Sequence, residues 1–155
     1  MRLYLVQHGK AKSKDEDPDR PLTDQGRNDI KKVAVFLAEN AGLKVTSIYH
    51  SGKTRARQTA EVLDEYIKST KGTVATDGLE PLAEPSIWIS RLANERGDIM
   101  LVGHLPHLNK LTSQMLANDE NKQIVSFQNA GVVCLAHDGS GNWSIQFIVT
   151  PEILK

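Results

Sequence analysis

The sequence has one cysteine, no surplus of charge and no long apolar run, and each absence removes a class of protein. The lone Cys134 excludes an internal disulfide and a cysteine-only metal site. It lies in Val132-Val133-Cys134-Leu135-Ala136, which predicts a buried thiol serving as a small hydrophobe. Nineteen basic and nineteen acidic residues cancel, so bulk charge gives no reason to expect nucleic acid or a membrane as partner. No apolar run approaches the ~18 residues of a membrane span. No leader precedes the first expected strand, so a cytoplasmic protein is expected. Repeats, low-complexity stretches and linkers are also missing, and residues 1–155 are expected to form one domain. No Asp/His cluster has convincing metal-ligand spacing, so neither metal nor cofactor is expected.

What is present is an alternation of short apolar runs and helical repeats. Arg2 to Val6 predicts a buried strand that must turn at Gly9. A polar loop follows from Lys10 to Arg20, its composition keeping it on the surface. Thr23 caps a helix to about Asn40, with Ile30, Val33, Ala34 and Leu37 at helical spacing and Gly42 closing it. Val45–His50 predicts a second strand, Thr54 to about Ser69 a second helix, and Thr73–Thr76 a brief edge strand. After a proline-broken loop, Leu79 to Pro85, a third helix is expected over Ile87–Arg96 and a buried strand over Asp98–Val102. Pro106 suits the first turn of a helix running to about Leu116. Val132–His137 and Trp143–Val149 flank Asp138-Gly139-Ser140-Gly141-Asn142 and predict a hairpin. Strand–helix alternation followed by a hairpin implies an α/β fold, largely parallel with an antiparallel edge.

Two of these strands end alike, in Val6-Gln7-His8-Gly9 and in Val102-Gly103-His104-Leu105-Pro106. If they are parallel in one sheet, His8 and His104 emerge on the same carboxyl edge, where open α/β folds build their sites. A neutral imidazole there can be nucleophile, base or ligand. The bland alternative is a pair of loop histidines bonded to backbone. A third element, Ser51-Gly52-Lys53-Thr54-Arg55-Ala56-Arg57-Gln58-Thr59-Ala60, opens a helix after the second strand. A helix start offers free N–H groups and a positive dipole end, and Arg55 adds a fork suited to phosphate oxygens. Arg55 and Arg57 point to different faces, so at most one enters a site, and both could instead pair with surface carboxylates. The segment lacks the Gly-x-x-x-x-Gly spacing of a P-loop.

Taken in order, Gln7-His8-Gly9, Arg20-Pro21-Leu22-Thr23-x-x-Gly26, Ser51-x-x-x-Arg55-Ala56-x-Gln58-Thr59 and Gly103-His104-x-Pro106 resemble the histidine phosphatase superfamily. Its phosphoglycerate mutase-like fold implies a three-layer α/β/α architecture. The Arg-Pro-Leu-Thr segment and the short chain look like the SixA-type phosphohistidine phosphatases. The resemblance spans nearly the whole sequence, as a single histidine phosphatase domain. It implies that His8 takes the phosphoryl group, that Arg55 clamps phosphate, that His104 binds phosphoryl oxygens and that Arg20 reaches the pocket. Phosphoryl transfer asks mainly for positioning and positive charge around the equatorial oxygens, which this set supplies without metal.

The sequence departs from the family at Gln7, where the pattern has arginine. Loss of one well-placed transition-state donor costs on the order of 3 kcal/mol, although a glutamine amide still donates. Lys10 and Lys12 are candidates for restoring the charge, with solvated loop lysines as the alternative. Glu80 and Glu84 are the candidates for protonating a leaving group; otherwise they are loop carboxylates. His107 is expected to orient His104 or rim the site, His50 to point elsewhere and His137 to face solvent.

The leading expectation is a metal-independent phosphatase acting through phospho-His8 on a phosphohistidine-bearing protein, the short chain leaving little for a lid. The alternatives are a small-molecule phosphomonoesterase and a phosphate- or phosphohistidine-binding module with little turnover. A mutase, or a structural protein with no site, fits the motifs less well.

Overall fold

The structure is a computed structural model describing residues 1–155. Its elements run β1 (Arg2–Gln7), α1 (Asp24–Glu39), β2 (Ser47–His50), α2 (Thr54–Ile67), β3 (Thr73–Ala75), α3 (Pro85–Leu92), β4 (Ile99–Gly103), α4 (His107–Ala117), β5 (Val132–His137) and β6 (Trp143–Val149). All six strands form one sheet in the order β3-β2-β4-β1-β5-β6. β3, β2, β4 and β1 are parallel, and β5 is antiparallel to both β1 and β6.

Side chains of a strand alternate between its two faces, and here both faces are covered. Tyr4, Val6, Met100, Val102 and Cys134 join residues of α1 and α2 in one apolar layer. Leu3, Leu5, Ile99, Leu101 and Leu135 join residues of α3 and α4 in the other. This is the three-layer α/β/α arrangement that the family resemblance implies. It also explains why β1 and β4 read as unbroken apolar runs rather than alternating ones.

The central pair positions the chemistry. β1 and β4 are neighbours in parallel register, Gln7 opposite Gly103, so His8 and His104 each follow one residue on. The His8 amide donates to the Gly103 carbonyl at 3.1 Å, extending the ladder by one bond.

The differences from the sequence reading are local. α3 starts at Pro85, which takes the first-turn position open to a residue without an N–H. It stops at Leu92 rather than Arg96, because Asn94 and Glu95 donate to the carbonyls three residues back, as in tight turns. α2 ends at Ile67, where Lys68 turns left-handed and Asp64 accepts from the Ser69 amide at 2.8 Å. Pro106 stands just before α4 as its N-cap residue. His137 is half-buried, its ring 4.9 Å from that of Trp143, rather than free in solvent.

Candidate active site

The site grows from the ends of β1, β4 and β2. The His8 Nδ1 lies 2.7 Å from the Gly9 carbonyl oxygen. A carbonyl only accepts, so Nδ1 carries the proton and Nε2 keeps its lone pair. Nε2 has no hydrogen-bond partner in the protein and is not among its buried unpartnered atoms. Burial lowers His8 to about 4, partly opposed by the Gly9 bond, with Arg55 and Arg20 pushing the same way as burial. The imidazole is therefore neutral at pH 7.

The main chain around it is tied from three directions. Asn129 Nδ2 donates to the His8 carbonyl at 3.0 Å. The Ala130 amide donates to the Gln7 carbonyl at 3.0 Å. The Gly9 amide donates to Thr59 Oγ1 at 3.0 Å, and Thr59 Oγ1 donates to the Arg55 carbonyl at 2.7 Å. One buried hydroxyl thus joins the His8 loop to the turn of α2 that carries Arg55. Gly9 is closely packed: a Cβ would lie 3.0 Å from the Gly26 carbonyl oxygen and 3.1 Å from Ile30, so these neighbours would have to give way. At Gly26 an added Cβ would lie 2.1 Å from the Lys10 carbonyl oxygen, so α1 packs directly on the loop after His8.

His104 is 2% exposed, and its ring centroid is 5.0 Å from that of His8. Its Nε2 is 2.7 Å from Ser51 Oγ, and its Nδ1 is buried without a partner. Burial lowers it to about 3, followed by His8, Arg55, Lys53 and His107. Both imidazoles are neutral while guanidinium groups surround them.

Those guanidinium groups lack counter-ions. Arg57 pairs with Glu61 at 2.9 Å on the surface of α2, and Arg91 pairs with Asp77 at 2.6 Å; Arg55 and Arg20 are in neither pair. Arg55 is half-buried, its Nε is buried and unpartnered, and burial and then Arg20 hold it below the usual guanidinium range. Arg20 has a left-handed backbone (φ 49°), and its Nε donates to the Lys12 carbonyl at 3.1 Å. A non-glycine residue held there is strained, and such strain gathers at ligand clamps. The Leu22 amide donates to Gln58 Oε1 at 2.8 Å, which locks the Arg20–Leu22 segment to α2. Uncompensated cations around neutral imidazoles form a ready anion site.

The structure brings His8, His104, Arg55, Arg20 and Gln7 to one edge. Gln7 Oε1 is buried and unpartnered. Lys10 and Lys12 are exposed on the adjoining loop. Glu80 Oε2 accepts from the Gly78 amide at 2.8 Å, and its charge reaches His107. Glu84 is exposed at the N-cap of α3. His107 is fully buried, lowered to about 4 by burial, and neither ring nitrogen has a partner, so no hydrogen bond runs from it to His104. His50 points away, its Nδ1 accepting from the Gly52 amide at 3.1 Å. Sequence reasoning missed Asn129, which no motif announces, and the Ser51–His104 contact. It also passed over Lys53, whose only signal was its place two residues before Arg55.

This fold, with its edge of paired imidazoles and free guanidinium groups, is of the phosphoglycerate mutase-like class. The sequence profile of the histidine phosphatase superfamily (branch 1) matches residues 3–80, a span holding His8, Arg20 and Arg55, and the chain belongs to that superfamily. No curated sequence matched individually. Among solved structures, the protein histidine phosphatase SixA complexed with tungstate is similar with a TM-score of 0.87 and 22% identity over 100% of both chains. The alpha-ribazole phosphatase of Shigella flexneri is similar at 0.79 and 13% over 97% of both chains. A phosphoserine phosphatase mutant from Entamoeba histolytica, in complex with phosphoserine, is similar at 0.74 and 16% over 99% of both.

Proposed function

We propose that the protein is a phosphatase that takes a phosphoryl group onto Nε2 of His8 and passes it to water, acting on phosphohistidine carried by another protein. The observation that carries this reading is the His8 Nδ1–H bond to the Gly9 carbonyl, which leaves a neutral imidazole with its Nε2 lone pair free.

The Nε2 lone pair attacks phosphorus, and the bond from phosphorus to the substrate's imidazole nitrogen breaks. That nitrogen keeps the electron pair and takes a proton. The His8 ring gains positive charge as it attacks, and the Gly9 carbonyl, already accepting from Nδ1, stabilises that charge. Arg55, Arg20 and the Gln7 amide take the equatorial oxygens, joined by His104 through Nε2 once Ser51 yields it. In the second step a water oxygen bonds to phosphorus and the bond to Nε2 breaks, releasing inorganic phosphate and neutral His8. Positioning and charge supply most of such catalysis. Glu80 is the candidate for the proton donor: its main chain lies beside the end of β4, where the Leu79 carbonyl packs 3.3 Å from where a Cβ on Gly103 would lie.

A protein-borne phosphoryl group suits the openness of the edge. The segments bordering it, residues 8–23, 51–53, 76–84 and 118–131, hold no helix or strand beyond the isolated Ala11–Leu22 bridge. They are loops, with no helix or strand set aside as a lid over a small metabolite. The same domain size also serves the alpha-ribazole and phosphoserine phosphatases, so a small phosphate ester is the second reading.

The test is a panel holding a phosphohistidine-bearing protein, phosphoserine and p-nitrophenyl phosphate. The expected order of kcat/KM puts the phosphoprotein first by at least ~10²-fold, the scale of remote binding energy spent on the reacting group. Preference for a small ester would overturn the protein-substrate reading and leave the phosphatase.

A further inference from the structure

We propose that Lys53 is a phosphoryl-binding residue of this site, closing its cationic rim on the side of His104 away from Gln7. The inference rests on the phosphatase reading and adds a residue that the sequence motifs do not assign.

The sheet order sets the geometry. β4 stands between β2 and β1, so the segment leaving β2 borders His104 on one side while Gln7 and His8 border it on the other. That segment is Ser51-Gly52-Lys53. The Lys53 amide donates to Ser51 Oγ at 3.3 Å, and the same oxygen lies 2.7 Å from His104 Nε2. The Lys53 main chain is therefore two hydrogen bonds from the nitrogen expected to meet a phosphoryl oxygen, which roots its side chain at the rim of the site.

Its charge has no other use. The Lys53 side chain is exposed and belongs to neither ion pair, and no acidic residue occupies the first turn of α2. A cation at that position opposes the helix dipole. Arg57 in the same turn is neutralised by Glu61, whereas Lys53 and Arg55 are left with positive charge at the positive end of a helix. A bound dianion relieves both. The field of Lys53 already reaches His104, which it helps to keep neutral.

The opposite side shows why a third cation is wanted. Gln7 is uncharged, makes no side-chain hydrogen bond and buries an unpartnered Oε1. Lys10 and Lys12 follow it in sequence, but the Lys10 carbonyl is held by the Thr23 amide at 2.9 Å and the Lys12 carbonyl by Arg20. Without Lys53, only Arg55 and Arg20 would balance a phosphoryl group.

Tungstate, a tetrahedral oxyanion, is the probe. Its dissociation constant, by calorimetry, and kcat/KM for p-nitrophenyl phosphate would be measured for wild type, Lys53→Met, Lys53→Arg and the double variant Lys53→Met with Gln7→Arg. Lys53→Met is expected to weaken tungstate by about tenfold and to lower kcat/KM at least as much, the range for losing a charge-assisted hydrogen bond. Lys53→Arg should retain most of both, and Gln7→Arg should restore part of the loss by returning charge from the other side. Fold loss is not in play, because an exposed side chain with no hydrogen bond is removed. Wild-type values in Lys53→Met would overturn the proposal. Absence of acid-labile phosphate on wild-type His8 would overturn the phosphatase reading instead, and tungstate binding would still report on Lys53.

Discussion

The imidazoles of His8 and His104 lie with centroids 5.0 Å apart, yet share no hydrogen bond, because each is turned to a different partner. His8 bonds the Gly9 carbonyl and His104 bonds Ser51. Two neutral rings, both with nitrogen chemistry directed at one space, can divide the work of nucleophile and oxygen ligand. Had they bonded each other, the His8 lone pair would have been spent.

That division predicts the outcome of two substitutions. His8→Ala should abolish turnover and keep tungstate binding, since the cations remain. His104→Ala should cut kcat/KM by ~10²–10³, the range for one lost transition-state donor, while still allowing His8 to be phosphorylated. Steady-state kinetics, with tungstate binding followed directly by calorimetry, distinguishes the two.

Thr59 links nucleophile and clamp through one oxygen. Thr59→Val keeps the volume but leaves the Gly9 amide unpartnered. An unsatisfied buried donor costs ~1–3 kcal/mol, which corresponds to a drop of roughly 2–12 °C in Tm for a domain of this size. Thermal unfolding measures the cost, and a fall in kcat beyond the loss of folded protein measures the misplacement of Arg55.

Gly26→Ala should be worse tolerated than an ordinary helix glycine substitution, which tends to stabilise. Its Cβ would lie 2.1 Å from the Lys10 carbonyl oxygen, which is backbone and has little freedom to give. Overpacking of this kind costs ~1–3 kcal/mol, and the displaced loop carries His8 at its start. Urea unfolding and kcat should fall together.

Acid should destabilise the fold. Burial lowers His8 and His107 to about 4 and His104 to about 3, from 6.5. Between those values and 6.5 the unfolded chain binds more protons than the folded one, so stability rises with pH across that window. It should be fully present above pH 6.5 and fall progressively toward pH 4. Urea midpoints from pH 7.5 to 4.5 test this, and His107→Leu, which removes a buried imidazole with no hydrogen bond, should flatten the slope.

Much of this site was legible before the structure. The strand ends at His8 and His104 could be read because doubly buried parallel strands are unbroken apolar runs, and their termination is then sharp. Arg55 could be read because a helix start after a strand is a chemical signal in itself. The choice among lysines depends on the fold. Lys10 and Lys12 are close to Gln7 along the chain, whereas Lys53 is close to His104 across the sheet, and only strand order reveals the second kind of proximity. Asn129 was invisible for the same reason, its partner His8 lying 121 residues away. Helix ends such as Leu92 were misjudged where tight-turn bonding replaced a capping residue.

The most direct test of the account is to trap the intermediate. The enzyme would be mixed with a radiolabelled phosphohistidine-bearing protein, quenched within one turnover and examined for acid-labile, alkali-stable label, in wild type, His8→Asn and His104→Asn. Label on wild type and on His104→Asn, absent from His8→Asn, is the expected result. Turnover or label that persists in His8→Asn would contradict the assignment of His8 as the phosphoryl acceptor.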